Sequence, residues 1–124
     1  FSLDKVDAGY VEGSLLIKEF HEQQNGFLHG GLIGTLCDMA CGYAAYSLVA
    51  EGEQVFTVEI KTNYLRPGIG QKAFCKGWVK KAGSMFHFCE AEVYIENNGE
   101  QKLIATATST MAVVQRKVND KYGD

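Results

Sequence analysis

Hydrophobic and polar positions alternate along four segments in the second half of the chain, which cover residues 54–66, 71–82, 84–96 and 101–115. Ala91 and Val93, for example, alternate with Glu90 and Glu92, and this period of two predicts a β-strand with one buried face. Turn-forming residues occupy 66–68 and 97–99, and Gly83 separates the second segment from the third. Short connections of this kind favour antiparallel hairpins over parallel crossovers.

The first half of the chain contains one segment with a different period. From Gly31 to about Val49, apolar residues recur at steps of three and four, at Leu32, Leu36, Met39, Tyr43 and Tyr46. This spacing predicts an α-helix with an apolar stripe. Before the helix, residues 8–20 are rich in strand formers and predict a first strand, and residues 21–26 predict a polar loop.

The predicted order of elements is β-α-β-β-β-β within one domain that covers residues 1–124. One helix can bury its apolar stripe against antiparallel strands only if the sheet wraps around it as a second layer. This arrangement is an α+β fold with a five-stranded or six-stranded sheet. A chain of 124 residues is too short for two hydrophobic cores. The tail from about residue 116 is polar, and we expect it to be frayed.

Composition and charge exclude several classes of function. The formal net charge is -3, so no positive field attracts a nucleic-acid backbone. The longest apolar stretch, within residues 31–50, contains Asp38 and several glycines, which makes it a poor membrane span. The four cysteines have no Cys-x-x-Cys spacing, and no signal sequence is recognisable in the chain. We therefore expect free thiols and a cytoplasmic location.

Asp38 is the most unusual residue of the predicted helix. An ionised carboxylate in an apolar helix costs free energy unless it is hydrogen-bonded, paired or open to a polar cavity. Its neighbours on the helix surface are all small, namely Gly34, Thr35, Cys41, Gly42 and Ala45. Either this face packs closely against another backbone, with Asp38 bonded to a strand or a second subunit, or it leaves room for a ligand.

His29, Gly30 and Gly31 stand at the predicted start of the helix. The backbone N–H groups there have no acceptor inside the helix, and the helix dipole favours negative charge. Glycines allow a ligand carbonyl to approach these donors closely. However, His29 and Asp38 are nine residues apart, about 13 Å along a helix axis, too far for one ligand atom to contact both. A second subunit would have to supply one half of such a site.

Two stretches of the sequence are similar to PaaI-type hotdog thioesterases. Residues 25–31, Asn-Gly-Phe-Leu-His-Gly-Gly, followed by Asp38, resemble the family pattern Gly-x-x-His-Gly-Gly with an acid in the helix. Residues 58–67 resemble the family's second strand leading into a proline turn, so the resemblance covers nearly the whole chain. It implies a hotdog fold and hydrolysis of an acyl-CoA thioester, with CoA as part of the substrate and no metal or other cofactor.

The resemblance also implies a role for several residues. Gly30 would donate its backbone N–H to the thioester carbonyl, and His29 would shape and orient that donor. Asp38 would act as general base or nucleophile, and Thr57 falls where the family often has Ser or Thr near the attacking water. The family further implies a homotetramer built from dimers, with each site at a dimer interface.

The sequence departs from the family pattern at two places. The family commonly has Asn six residues before the signature His, whereas this chain has Gln23 there and Asn25 two residues later. The family often has Lys or Arg after the glycine that corresponds to Gly83, but Ser84 follows here. Because these departures leave the substrate contacts only loosely placed, several residues are candidates for them: Asn25, Gly31, Arg66, Lys80, Lys81, Gly83 and Ser84.

Other chemistries fit the sequence less well. The histidines have no spacing typical of a zinc site, and Cys37 has no adjacent histidine to activate it, so core packing explains it better. Trp78, Phe86 and Phe88 recur at period two, which indicates the core or an interface. Two other functions stay open: a hotdog hydratase or dehydratase, and an acyl-CoA-binding protein without catalysis.

Overall fold

The computed structural model describes residues 1–22 and 26–115. The predicted frayed tail from about residue 116 lies outside these residues. Two strands precede a single-turn 3-10 helix at Glu19–His21, and one α-helix is followed by four longer strands. The elements are β1 (Ser2–Asp7), β2 (Tyr10–Leu16), α1 (Gly30–Tyr46), β3 (Glu53–Tyr64), β4 (Lys72–Ala82), β5 (Phe86–Asn97) and β6 (Glu100–Gln115).

The six strands form one antiparallel sheet in the order β1-β2-β4-β5-β6-β3. Short turns join β4 to β5 and β5 to β6, as the sequence predicted, and β3 occupies one edge of the sheet beside β6. Helix α1 packs on one face and contacts β2, β3, β4, β5 and β6. The sheet therefore wraps around the helix, which confirms the α+β hotdog arrangement with six strands.

Small side chains let the helix lie close to the sheet. The buried residues of α1 include Ala40, Cys41, Ala44 and Ala45, and a Cβ on Gly77 of β4 would collide with the backbone carbonyl of Ala40. Since no larger residue than glycine fits there, the sequence of β4 sets the distance between the two layers. Close packing of this kind places the middle of the helix directly against the sheet.

The predicted helical stripe was wrong in its second half. Leu36 is buried, but Tyr43 and Tyr46 are 42% and 51% exposed, and the core stripe instead runs through alanines and cysteines. The sequence pattern favoured the large residues, whereas the close approach of the layers selects small ones. The helix also begins at Gly30 and ends at Tyr46, slightly earlier at both ends than predicted.

The strand predicted at residues 8–20 is present as β2, although it is shorter, and a second strand that precedes it was not predicted. This strand, β1, pairs with β2 in a hairpin that turns at Gly9, whose φ is 76°. Every residue of β1 is exposed, so the strand carries no alternation that a pattern could detect. The order of the main elements is therefore β-β-α-β-β-β-β.

The aromatic residues Phe86 and Phe88 lie on the outer face of the sheet and not in the core, which was one of the two locations predicted for them; the other, an interface, stays a prediction. They are 40% and 45% exposed, whereas His87 and Cys89, which alternate with them, face the helix and are buried. Trp78 lies on the same outer face and donates a hydrogen bond from Nε1 to Glu90. The predicted period of two is present, but the buried face consists of the residues that alternate with these aromatic side chains.

Candidate active site

Asp38 and Thr57 meet where the third turn of α1 crosses β3. The Thr57 hydroxyl donates a hydrogen bond of 2.6 Å to Asp38 Oδ1, and both residues are half-buried. Thr57 Oγ1 also lies 3.4 Å from Met111 Sδ on the neighbouring strand. The ladder between β3 and β6 shifts register right after Thr57, so Val58 forms a bulge. Bulges often redirect a side chain beside a functional site.

The carboxylate of Asp38 has no cationic partner among the described residues, whose ion pairs join Lys5 to Asp7 and Lys80 to Glu90. The one hydrogen bond from Thr57 occupies a single carboxylate oxygen. A half-buried carboxylate that is held by a hydroxyl but not neutralised by a cation is of the type that serves as a general base. The resemblance placed Thr57 near the attacking water, and the structure places its hydroxyl on Asp38.

His29 fixes the entrance of the helix through its backbone. Its φ and ψ of -58° and 134° place it outside the helix as the N-cap, and its N–H donates to the carbonyl of His21 at 3.0 Å. Its own carbonyl accepts from Leu32 and Ile33 at 3.1 Å. The side chain is exposed and makes no capping hydrogen bond. The structure thus shows a way for His29 to orient the first helical N–H groups without its ring.

Gly30 and Gly31 present the first N–H groups of the helix at an open surface. Both are exposed, and a Cβ on Gly31 would meet nothing within 4 Å. A Cβ on Gly30 would touch only the ring of Tyr64, at 3.7 Å, and the Tyr64 hydroxyl donates to the Gly30 carbonyl at 3.1 Å. Packing within the chain therefore does not require a glycine at either position. Sequence reasoning did not single out Tyr64, and only its place at the end of β3 could have indicated it.

The two halves of the candidate site stay apart in one chain. Strand β3 runs antiparallel to α1, so that Tyr64 contacts the helix start while Thr57 contacts Asp38 further along. Gly30 and Asp38 are separated by about 12 Å of helix axis. The structure therefore agrees with the prediction that a single chain does not bring the donor and the carboxylate to one carbon atom.

The candidate substrate contacts fall into two separate groups. Arg66 is exposed and lines a surface pocket of about 420 Å³ together with Lys102. Lys80 pairs with Glu90 at 3.6 Å, and Lys81 and Ser84 are exposed at the start of the β4–β5 turn. The Arg66 pocket includes Ile95, Asn97 and Asn98 at the far end of β5, about 30 Å of strand away from this turn. One chain does not bring the two groups together.

Gly83 has a structural reason to be glycine. Its N–H donates to the carbonyl of Phe86 at 2.8 Å, and a Cβ would lie 2.6 Å from that same oxygen. The tight turn between β4 and β5 therefore requires the residue whether or not a substrate binds there. The remaining two candidates, Gln23 and Asn25, lie outside the described residues.

The buried thiols are not nucleophiles at neutral pH. Burial raises the pKa of Cys37 to about 12, and the same cause raises the pKa of Cys41 to about 11. Only the thiolate attacks a carbonyl, so Cys37 stays protonated next to Asp38, and core packing explains it. Among the described residues, no cluster of His, Cys, Asp and Glu could hold a metal ion, and no described helix is long and apolar enough to cross a membrane.

Comparison with known proteins assigns the family. The family model described as Thioesterase superfamily matches residues 25–102, which is more than half of the chain. The chain belongs to the thioesterase superfamily. The matched range contains the helix entrance, Asp38, Thr57 and the β4–β5 turn, and thus every candidate site residue except Gln23. Whether this superfamily member is of the PaaI type stays a prediction.

Several individual proteins are similar to this chain. The medium/long-chain acyl-CoA thioesterase YigI of Escherichia coli K12 is 29% identical over 99 residues, covering 69% of this chain but only 62% of YigI. A thioesterase family protein from Silicibacter pomeroyi is 38% identical with a TM-score of 0.90, covering 92% of this chain and 84% of that one. The structure of smu.793 from Streptococcus mutans UA159, solved bound to acetyl CoA, is 27% identical with a TM-score of 0.80, covering 94% and 90%.

Proposed function

We propose that the protein is an acyl-CoA thioesterase in which Asp38 acts as general base or nucleophile. The observation that carries the proposal is the Asp38 carboxylate, which is held by the Thr57 hydroxyl and has no cationic partner among the described residues. The similar proteins support the substrate class, since YigI is named for acyl-CoA thioesters and smu.793 was solved bound to acetyl CoA.

The proposed reaction uses two groups that act on the same thioester. The N–H of Gly30, at the positive end of the helix dipole, polarises the carbonyl oxygen and stabilises the negative charge that develops on it. Asp38 either takes a proton from the attacking water or attacks the carbonyl carbon itself and forms an anhydride, which water then hydrolyses to regenerate the carboxylate. The hydroxyl of Thr57 holds the carboxylate in position. CoA leaves as the thiol, and the acyl group is released as a carboxylic acid.

Two chains must share the site, because Gly30 and Asp38 are far apart in one. Strand β3 is an edge of the sheet, and its residues Phe56 and Val58 are 54% and 52% exposed. If two copies pair antiparallel through β3, the Tyr64 end of one strand lies beside the Glu53 end of the other. The Gly30 entrance of one copy then approaches Asp38 of the second copy.

The antiparallel pairing of two copies through β3 has two-fold symmetry, and this symmetry supports the residues that we assign to CoA binding. Arg66 lies at the Gly30 end of the chain, whereas Lys80, Lys81 and the β4–β5 turn lie at the Asp38 end. In the pair, Arg66 of one copy and the lysines of the other flank the same site. Cationic side chains there would bind the phosphates of CoA.

Two such pairs form the tetramer that we propose. On the outer face of the sheet, Phe56 and Phe86 lie on either side of Ala112, and Phe88 is exposed next to them. A row of exposed aromatic side chains is typical of an interaction surface. A second pair of chains would bury this row.

The two alternative functions have less support in the geometry. A hydratase requires a histidine ring that faces an acid in one cavity, whereas His29 makes its hydrogen bonds at the helix entrance through its backbone and its side chain is exposed. A binding protein without catalysis would not need an unneutralised carboxylate at the middle of the helix. The four cysteines are free, which supports a reducing compartment such as the cytoplasm.

Thiol release from a panel of acyl-CoA thioesters tests the proposed function. The panel should include aryl, short-chain and longer-chain thioesters, and release of CoA is followed with a thiol reagent. The protein is expected to hydrolyse at least one of them catalytically. Absence of turnover with every member, in a protein that is folded and binds CoA, would support the binding protein instead.

A further inference from the structure

An apolar pocket opens directly beside the Asp38–Thr57 pair. Its volume is about 210 Å³, and its lining contains no charged residue: Met39, Gly42, Tyr43, Tyr46 and Val55. Gly42 lies one helical turn after Asp38 on the same face of α1. Val55 lies two residues before Thr57 on the same face of β3. The pocket thus continues the surface on which the carboxylate lies.

We propose that this pocket receives the hydrocarbon tail of the acyl group and that Gly42 sets the length of tail that fits. The proposal rests on the proposed thioesterase function, because Asp38 fixes the position of the acyl carbon. Pockets that hold a whole drug-sized ligand span roughly 300–1,000 Å³. A pocket of about 210 Å³ accommodates only part of a ligand, as expected for the tail of a larger thioester.

Gly42 is the residue of the lining that packing does not explain. A Cβ at this position would meet nothing within 4 Å, in contrast to Gly77, where the helix backbone leaves no room. Glycine inside a helix is less stable than alanine. A glycine that costs stability and whose missing side chain leaves open space in an apolar pocket is consistent with a role in admitting a ligand.

The lining also indicates the chemistry of the tail. Met39 and Val55 belong to the lining, and neither offers a hydrogen-bond donor or acceptor from its side chain apart from the weak thioether. A polar or charged substituent would lose its hydration there without compensation. Straight hydrocarbon tails therefore fit the pocket better than hydroxylated ones. The rings of Tyr43 and Tyr46 lie at its exposed rim.

The test is the chain-length profile of hydrolysis, measured as kcat/KM for straight-chain acyl-CoAs from acetyl to palmitoyl. Gly42→Leu fills the pocket, and each methylene that no longer fits is expected to lower kcat/KM about fourfold. The preferred length should move to shorter chains while hydrolysis of acetyl-CoA is retained. Gly42→Ala should produce a smaller shift in the same direction and a higher melting temperature. Ala50→Leu introduces the same side chain at an exposed position beyond the helix and should leave the profile unchanged.

Three outcomes would overturn the subsite. The first is an unchanged chain-length profile in Gly42→Leu, and the second is an equal loss of activity for every chain length in this variant. The third is a change in the molecular mass of Gly42→Leu by size exclusion, which would show that a second copy fills the pocket. These outcomes are separate from a failure of the proposed function. If wild type releases no thiol from any member of the series, the thioesterase assignment itself is wrong.

Discussion

The Thr57 hydroxyl lies 2.6 Å from Asp38 Oδ1 and joins the edge strand of the sheet to the middle of the central helix. An O–H to carboxylate hydrogen bond of this length is charge-assisted and stronger than a neutral one. It holds one oxygen of the carboxylate and leaves the other without a hydrogen bond from the described residues. Thr57 is therefore expected to act through Asp38 as a positioning residue.

Replacement of Thr57 tests that relationship. Thr57→Val keeps the shape of the side chain but removes the hydroxyl, and loss of a hydrogen bond to a charged group is expected to lower kcat roughly tenfold to a hundredfold. Thr57→Ser retains the hydroxyl and should restore most of the rate. Steady-state kinetics on the best substrate provides both values. If serine and valine lower kcat equally, the hydroxyl does not position Asp38.

The N–H of Gly30 can be removed without breaking the helix. Gly30 is the first helical residue, where proline is well tolerated, and the φ and ψ of His29 are compatible with a following proline. Gly30→Pro removes only this donor and is expected to lower kcat about a hundredfold to a thousandfold. Gly30→Ala adds a Cβ but keeps the N–H, and should retain far more activity.

The comparison between the proline and alanine variants separates the loss of the N–H donor from the steric effect of the added carbon atoms. Both variants place carbon atoms near the ring of Tyr64, so a purely steric effect would lower both rates to a similar extent. Circular dichroism should show the same helix content in both. Equal rates in Gly30→Pro and wild type would exclude the Gly30 N–H as the donor to the carbonyl.

Stability should fall as the solution becomes alkaline. Burial raises the pKa of Cys37 and Cys89 to about 12 and that of Cys41 and Cys75 to about 11. In the unfolded chain these thiols ionise near their ordinary pKa of about 8.5. Between about pH 8.5 and 11, the unfolded state therefore binds fewer protons than the folded state, and the free energy of unfolding decreases with pH.

Urea unfolding at pH 7 and pH 10 measures this loss, and Cys37→Ala should show a smaller difference between the two pH values. The native protein should also be slow to react with a thiol reagent, whereas the unfolded chain reacts at all four cysteines. Rapid modification of native Cys37 would show that its thiol is ionised and accessible.

The shared site predicts a link between assembly and activity. Val58 lies near the middle of β3 and is 52% exposed, so antiparallel self-pairing brings it close to its own copy. Val58→Lys places two positive charges near each other across the axis and should give inactive monomers. Phe88→Lys, on the outer face, should give active dimers. Light scattering with activity assays measures both, and an active Val58→Lys monomer would contradict the shared site.

Sequence patterns predicted most of the fold, and they singled out the residue on which the proposed site depends. Alternation located β3, β4, β5 and β6, and the unusual carboxylate in an apolar helix indicated Asp38. The wholly exposed strand β1 escaped detection because alternation reports burial of one face. The large residues Tyr43 and Tyr46 misled the choice of buried stripe, since the close approach of Ala40 to Gly77 is a property of two segments packed together and not of either alone.

The most direct test of the proposed chemistry is the kcat of Asp38→Asn on the best acyl-CoA substrate. Asparagine has nearly the same shape and can still accept the hydrogen bond from Thr57, so melting temperature and molecular mass should match wild type. Loss of a general base or nucleophile is expected to lower kcat by about a hundredfold to ten-thousandfold. An Asp38→Asn protein that is folded, assembled and as active as wild type would contradict the role of Asp38.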